Sequence, residues 1–233
     1  MESEMKKLCL LVVALAATFT AFAGGRKAIS ILGDSYSTYQ GYMSCDSNRL
    51  WYWDKPNVKY INTDVDDVRQ TWWHLLISSN PDYRLCLNNS FSGATICHTG
   101  YRKENYSNRS FENRCTALGC PDIILICGGT NDSWADSPIG EYKYEDWTPE
   151  DLFFFRPAMA SMLNKIRLHY PNVEVYFILN SELKPEINES VDVVCAHYGV
   201  PVIKLHDIDK SNGHPNRAGM KAFADQVRAV IEK

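Results

Sequence analysis

Long hydrophobic runs are scarce in this chain of 233 residues. Residues 8–22 form one, too short and wrongly flanked for a spanning helix. With Lys6 and Lys7 before it and Ala21-Phe22-Ala23 ahead of Gly24-Gly25, residues 1–23 read as an export signal. Cleavage there would leave residues 24–233 as a soluble product in the periplasm or outside the cell. Cys9 stands at the start of the apolar run rather than after it, which argues against a lipid anchor. Lysine and arginine form no stripe and the formal charge is −4, which argues against a nucleic-acid partner. No Cys-x-x-Cys pair is present and the histidines are scattered, so a zinc site has little support.

Seven of the eight cysteines would remain after cleavage, an odd number, so at least one is unpaired or pairs between chains. Cys86, Cys127 and Cys195 lie in apolar runs and read as buried thiols. Cys45, Cys97, Cys115 and Cys120 lie in loop-like or helix-end sequence, where an oxidising compartment would allow one or two bridges. There is no internal repeat, no low-complexity linker and no shift in composition. Residues 24–233 therefore read as one domain with a substantial core.

Five short apolar runs predict strands, at residues 28–32, 83–88, 122–127, 173–179 and 202–205. Between and after them, helical spacing predicts helices over residues 69–78, 111–118, 148–169, 186–197 and 216–231. Thr148 reads as the cap of the third of these, with Pro149 and early acids behind it. Pro157 either kinks that helix or delays its start. Gly199 ends the fourth. This alternation predicts an α/β fold with a parallel sheet and right-handed crossovers. Residues 36–68 form a long irregular stretch rich in aromatics, and loops of that length are usually functional or packed as a lid.

The chemistry-bearing residues fall at strand ends. The run Ala28-Ile29-Ser30-Ile31-Leu32 stops at Gly33-Asp34-Ser35, which presents a serine at the carboxyl edge of a buried strand. Gly93 follows the second strand, Asn131 the third, and His214 lies between the fifth strand and the last helix. In a parallel sheet these segments leave along one edge and can converge. A serine is a weak nucleophile until a base takes its proton, and the oxyanion it creates needs donors. Ser35 can attack and His214 can take the proton. The Ser35 and Gly93 amides, with the Asn131 carboxamide, can hold the oxyanion. Asp34 and Asp132 read as groups that fix their turns. His74 reads as core or wall, and His98, His169, His197 and His206 have no supporting motif. Trp51, Trp53, Trp134 and Trp147 either pack locally or line a sugar-stacking cleft.

Ser35 within Gly-Asp-Ser, Gly93, Asn131 within Gly129-Thr130-Asn131-Asp132, and His214 resemble, in order and across residues 24–233, the four signature residues of the SGNH or GDSL-type hydrolases. The Gly-x-Ser-x-Gly elbow of another hydrolase fold is absent. The resemblance implies a three-layer α/β/α, flavodoxin-like fold with a five-stranded parallel sheet. It also implies a serine esterase with no cofactor or metal, since the oxyanion hole replaces a Lewis acid. The family usually places an aspartate three residues before the histidine, where this chain has Ser211. Three readings stay open: Ser211 or a backbone carbonyl orients His214 as a dyad, Asp209 or Asp207 reaches in from another register, or the site is slow or inactive. The expected activity is removal of small acyl groups, acetyl first, from a carbohydrate or other acylated small molecule. The alternatives are a lipase, lysophospholipase or thioesterase with the same machinery, or a carbohydrate-binding protein with reduced or lost turnover.

Overall fold

The structure is a computed structural model that describes residues 25–44, 50–54 and 63–233. The proposed export signal and Cys45 lie outside the described residues. Five strands, β1 (Lys27–Gly33), β2 (Tyr83–Ser90), β3 (Ile123–Gly128), β4 (Glu174–Leu179) and β5 (Val202–Lys204), form one sheet in the order β2-β1-β3-β4-β5. Every neighbouring pair runs parallel. This is the flavodoxin-like order, and its switch point lies between β1 and β3, where loops leave in opposite directions and open a crevice.

Strand alternation divides the core in two. On β3, Ile124 and Ile126 face one side and Ile123, Leu125 and Cys127 the other. The first side is covered by α2 (Phe111–Arg114), α4 (Phe155–His169) and α5 (Pro185–Tyr198), whose inward residues include Phe111, Phe155, Met159, Leu163, Ile166 and Val191. The second is covered by α1 (Trp72–Ser78) and α6 (Arg217–Ile231), where Trp72 stacks on Phe223 at 4.5 Å. The result is the expected three-layer α/β/α arrangement. Both faces of the sheet are buried, which is why its strands read as unbroken apolar runs.

Differences from the sequence reading are local. Thr148 and Asp151 do exchange bonds (Thr148 N–H to Asp151 Oδ2, 2.7 Å; Asp151 N–H to Thr148 Oγ1, 3.4 Å), but these close the turn that leads into a 3-10 turn over Asp151–Phe153, which has Glu150 at its cap position. The α-helix starts at Phe155, so Pro157 sits in the first turn, where its missing N–H has no intrahelical partner to lose. Residues 68–70 are likewise a 3-10 turn ahead of α1, and α2 ends at Arg114 rather than Leu118. A short helix, α3 (Thr130–Trp134), follows β3 where no helix is predicted. Cys97, Cys115 and Cys120 carry free thiols, so no bridge joins them. Cys97 and Cys115 are buried, with their sulfurs on the Thr99 and Glu112 carbonyls. No helix among the described residues is long and apolar enough to cross a membrane.

Candidate active site

Ser35 opens a 3-10 turn over Ser35–Ser37 directly after β1. Gly33 has no room for a side chain, because a Cβ there would lie 2.5 Å from Ser90 Oγ and 2.8 Å from Ser37 Cβ. Asp34 caps the turn by accepting the Tyr36 N–H at 3.0 Å. Beneath it, the Ser37 carbonyl accepts from Trp73 Nε1 (3.0 Å) and Asn88 Nδ2 (2.8 Å), and Ser37 Oγ accepts from Trp72 Nε1 (3.1 Å). The serine is therefore held by a turn locked from below. Arg114 Nη2 adds a bond to the Gly33 carbonyl at 3.2 Å, while its Nη1 reaches Asn89 Oδ1 at the same distance and ties down the end of β2.

His214 stands on a two-stranded ribbon, β6 (Lys210–Ser211) and β7 (His214–Pro215), that sequence reasoning missed. The ribbon turns through Asn212 and Gly213 at φ 51° and 74°. Asn-Gly between paired residues is the strongest short hairpin signal, so this element was legible. The Tyr36 hydroxyl donates to the Gly213 carbonyl at 2.6 Å and accepts from Asn180 Nδ2 at 3.1 Å, tying the hairpin to the serine turn.

These ties bring His214 Nε2 to 2.8 Å from Ser35 Oγ across 179 positions of sequence. Both residues are about 95% buried. His214 Nδ1 lies 3.1 Å from the Asn212 carbonyl. A carbonyl can only accept, so Nδ1 carries the proton and Nε2 presents its lone pair to the serine. Of the orienters considered from the sequence, it is thus a backbone carbonyl that meets Nδ1. Ser211 pairs across the ribbon with His214 but supplies no such bond, and Asp209 and Asp207 are exposed. Burial drives the His214 imidazole down to about 4, against a partial rise from the Asn212 carbonyl, and Lys210 adds to the lowering.

Asn131 sits in the first turn of α3, which Gly129 introduces from the left-handed region at φ 89°. Its Oδ1 accepts from the Tyr101 hydroxyl at 2.8 Å, which leaves Nδ2 to donate. One Nδ2 bond runs to Asp34 Oδ2 at 3.4 Å. Burial pushes Asp34 up to about 7, against the bond from Tyr36. Asp132 accepts from the Ile96 and Cys97 amides at 2.8 and 3.2 Å, which anchors the loop after Gly93 to α3. Gly93 has φ +79°, and a Cβ there would meet only open space.

Ser35, Gly93, Asn131 and His214 line one cavity of about 530 Å³ with Trp51, Trp53, Tyr101 and Trp134. Trp147 is elsewhere, packed against the core cluster on the first side of the sheet with its indole N–H on the Lys143 carbonyl. Tyr101 carries no motif and was not legible. The four residues expected from the strand ends thus meet at the switch-point edge, with a polar rim at the serine and aromatic walls above it. A nucleophile beside a neutral imidazole, with a carboxamide and glycine amide nearby, is suited to acyl transfer.

Comparison with known proteins gives the family and the fold. No curated protein matches the chain by sequence. A Bacteroides ovatus protein described as a GDSL-like lipase is 57% identical with a TM-score of 0.86, covering 88% of this chain and 98% of its own. A Bacteroides uniformis protein of the same description is 49% identical with a TM-score of 0.86, covering 89% and 96%. An acetyl xylan esterase from the rumen bacterium Butyrivibrio proteoclasticus, 16% identical with a TM-score of 0.52 over 89% of this chain and 64% of its own, shares the fold. The profile of the GDSL-like lipase/acylhydrolase family matches residues 27–231, and the chain belongs to that family.

Proposed function

We propose that this protein is an exported serine esterase that removes small acyl groups, acetyl first, from carbohydrate. The observation that carries the reading is the 2.8 Å approach of Ser35 Oγ to His214 Nε2 in a cavity also lined by Gly93 and Asn131. In this reading Ser35 Oγ attacks the acyl carbonyl while its proton passes to His214 Nε2. The tetrahedral oxyanion lies against the Ser35 and Gly93 amides and Asn131 Nδ2. Its negative charge offsets the cost of an imidazolium in a buried site. Collapse expels the sugar alkoxide, which takes the proton from Nε2. Water, deprotonated by the same imidazole, then releases the acid and restores Ser35.

The preference for sugar rests on Trp51, Trp53 and Trp134, whose rings wall the cavity, since flat indoles suit the apolar faces of pyranose rings. Carbohydrate esterases are also among the proteins that share the fold. Export rests on the character of residues 1–23. Turnover of a short-chain aryl acetate, with Ser35→Ala and His214→Ala as controls, tests the reading. Each variant is expected to lose at least about 10³-fold in kcat. Hydrolysis that rises with acyl chain length would instead favour a lipid-directed enzyme. The neutral acceptor at His214 Nδ1 favours a second reading, a carbohydrate-binding protein with little turnover, which hydrolysis unchanged in Ser35→Ala would support.

A further inference from the structure

We infer that Trp51 is the residue that holds the His214 imidazole in place, supplying by stacking the orientation that a carboxylate supplies in a full triad; this rests on the esterase reading of the same site. The two rings are 3.5 Å apart at their centroids and within 8° of parallel. The other aromatic neighbours meet the imidazole at an angle: Tyr36 at 5.2 Å and 58°, Trp134 at 5.9 Å and 68°. In its own plane the ring has only the Asn212 carbonyl and Ser35 Oγ as bonding partners among the described residues. Two neutral in-plane contacts do little to resist tilting about the axis that joins them. A parallel indole resists that motion, because any tilt drives ring atoms into its face.

The backbone around Trp51 is built for this placement. Trp51 N–H donates to Thr38 Oγ1 at 2.8 Å, and Thr38 Oγ1 donates to the Ser35 carbonyl at 3.1 Å. The next residue, Tyr52, is fully buried and donates from its hydroxyl to the Pro215 carbonyl at 2.8 Å. The segment is thus pinned on one side to the nucleophile's turn and on the other to the residue after the base. The indole N–H is buried without a hydrogen-bond partner among the described residues. Its ring face, rather than its polar edge, is therefore what the site uses, and an unpartnered buried donor has a cost that other contacts must offset. A π face over the ring also favours the imidazolium that forms during turnover.

Two variants separate this role from sugar stacking. On an aryl acetate, which carries no sugar, Trp51→Ala is expected to lower kcat about 10- to 100-fold with KM nearly unchanged. Trp51→Phe keeps a flat ring and gives up no hydrogen bond, so it should recover most of kcat. A readout independent of turnover is the nitrogen NMR of the His214 ring, assigned by its loss in His214→Gln. The wild type and Trp51→Phe should show one tautomer, protonated at Nδ1, and Trp51→Ala an averaged one. A wild-type His214 spectrum in folded Trp51→Ala overturns the inference, as does an unchanged kcat. Failure of the esterase reading would look different: no loss of hydrolysis in Ser35→Ala, whatever the spectrum of the Trp51 variants.

Discussion

At the scale of single residues, the site depends on neutral groups held in one orientation. Burial keeps the His214 imidazole uncharged down to about 4, so the acid limb of kcat/KM is expected near that pH and not in the neutral range where a solvated imidazole titrates. The sign follows from the proposed role: activity would need the unprotonated base, so it is lost as pH falls through the folded-state value. Ser211 faces His214 across the ribbon, and directly paired residues share a face. Ser211→Asp should therefore bring an opposite charge near the imidazole and move the acid limb upward by about 1 unit, read from the same profile. Tyr101→Phe removes the hydroxyl that fixes the Asn131 amide. A loss of about 10-fold in kcat with little change in KM is expected, because in the proposed mechanism the bond supports Asn131 as an oxyanion donor and not substrate binding.

At the scale of elements, His214, the proposed base, is carried on a short two-stranded ribbon whose geometry is enforced by its neighbours. Asn216, two positions after His214, caps α6 by accepting the Gly219 N–H at 2.9 Å. Asn216→Ala should cost about 1 kcal/mol of stability and lower Tm by about 2–4 °C in a thermal melt. The strands and long helices were legible because their periodicity reflects burial directly. Met159, Leu163 and Ile166 of α4 and Met220, Phe223 and Val227 of α6 are buried as their spacing predicts. The short elements were not. A five-residue helix such as α3 has too few turns for a periodic signal, and its start is set by Gly129 and by the Asp132 bonds to a distant loop. Thr148 reads from the sequence as the cap of a long helix, but its bonds with Asp151 close only a turn before a 3-10 turn, and the helix starts at Phe155.

At the scale of the whole molecule, one buried cluster ties together two of the helices that cover one face of the sheet. Glu112 of α2 accepts from Ser161 Oγ at 2.8 Å, pairs with Lys165 of α4, and lies 3.3 Å from His98 Nε2. Although burial disfavours its charge, the bonds from His98, Lys165 and Ser161 hold its carboxyl down at about 2, below the usual 4.5. Its contribution is therefore present above pH 4.5 and is lost as pH falls toward 2. Glu112→Gln is expected to flatten the decline in urea midpoint as pH falls from 4.5 toward 2.

The sequence by itself determined the sheet, its covering helices and the identity of the converging residues, because strand burial, helix period and strand-end glycines are local consequences of residue type. Only the tertiary structure decided which groups meet the His214 ring, which tryptophans face the cavity, that Tyr101 bonds Asn131, and that Trp51 stacks on His214. Those outcomes depend on which distant backbone atoms and ring faces come together, and no spacing along the chain records that.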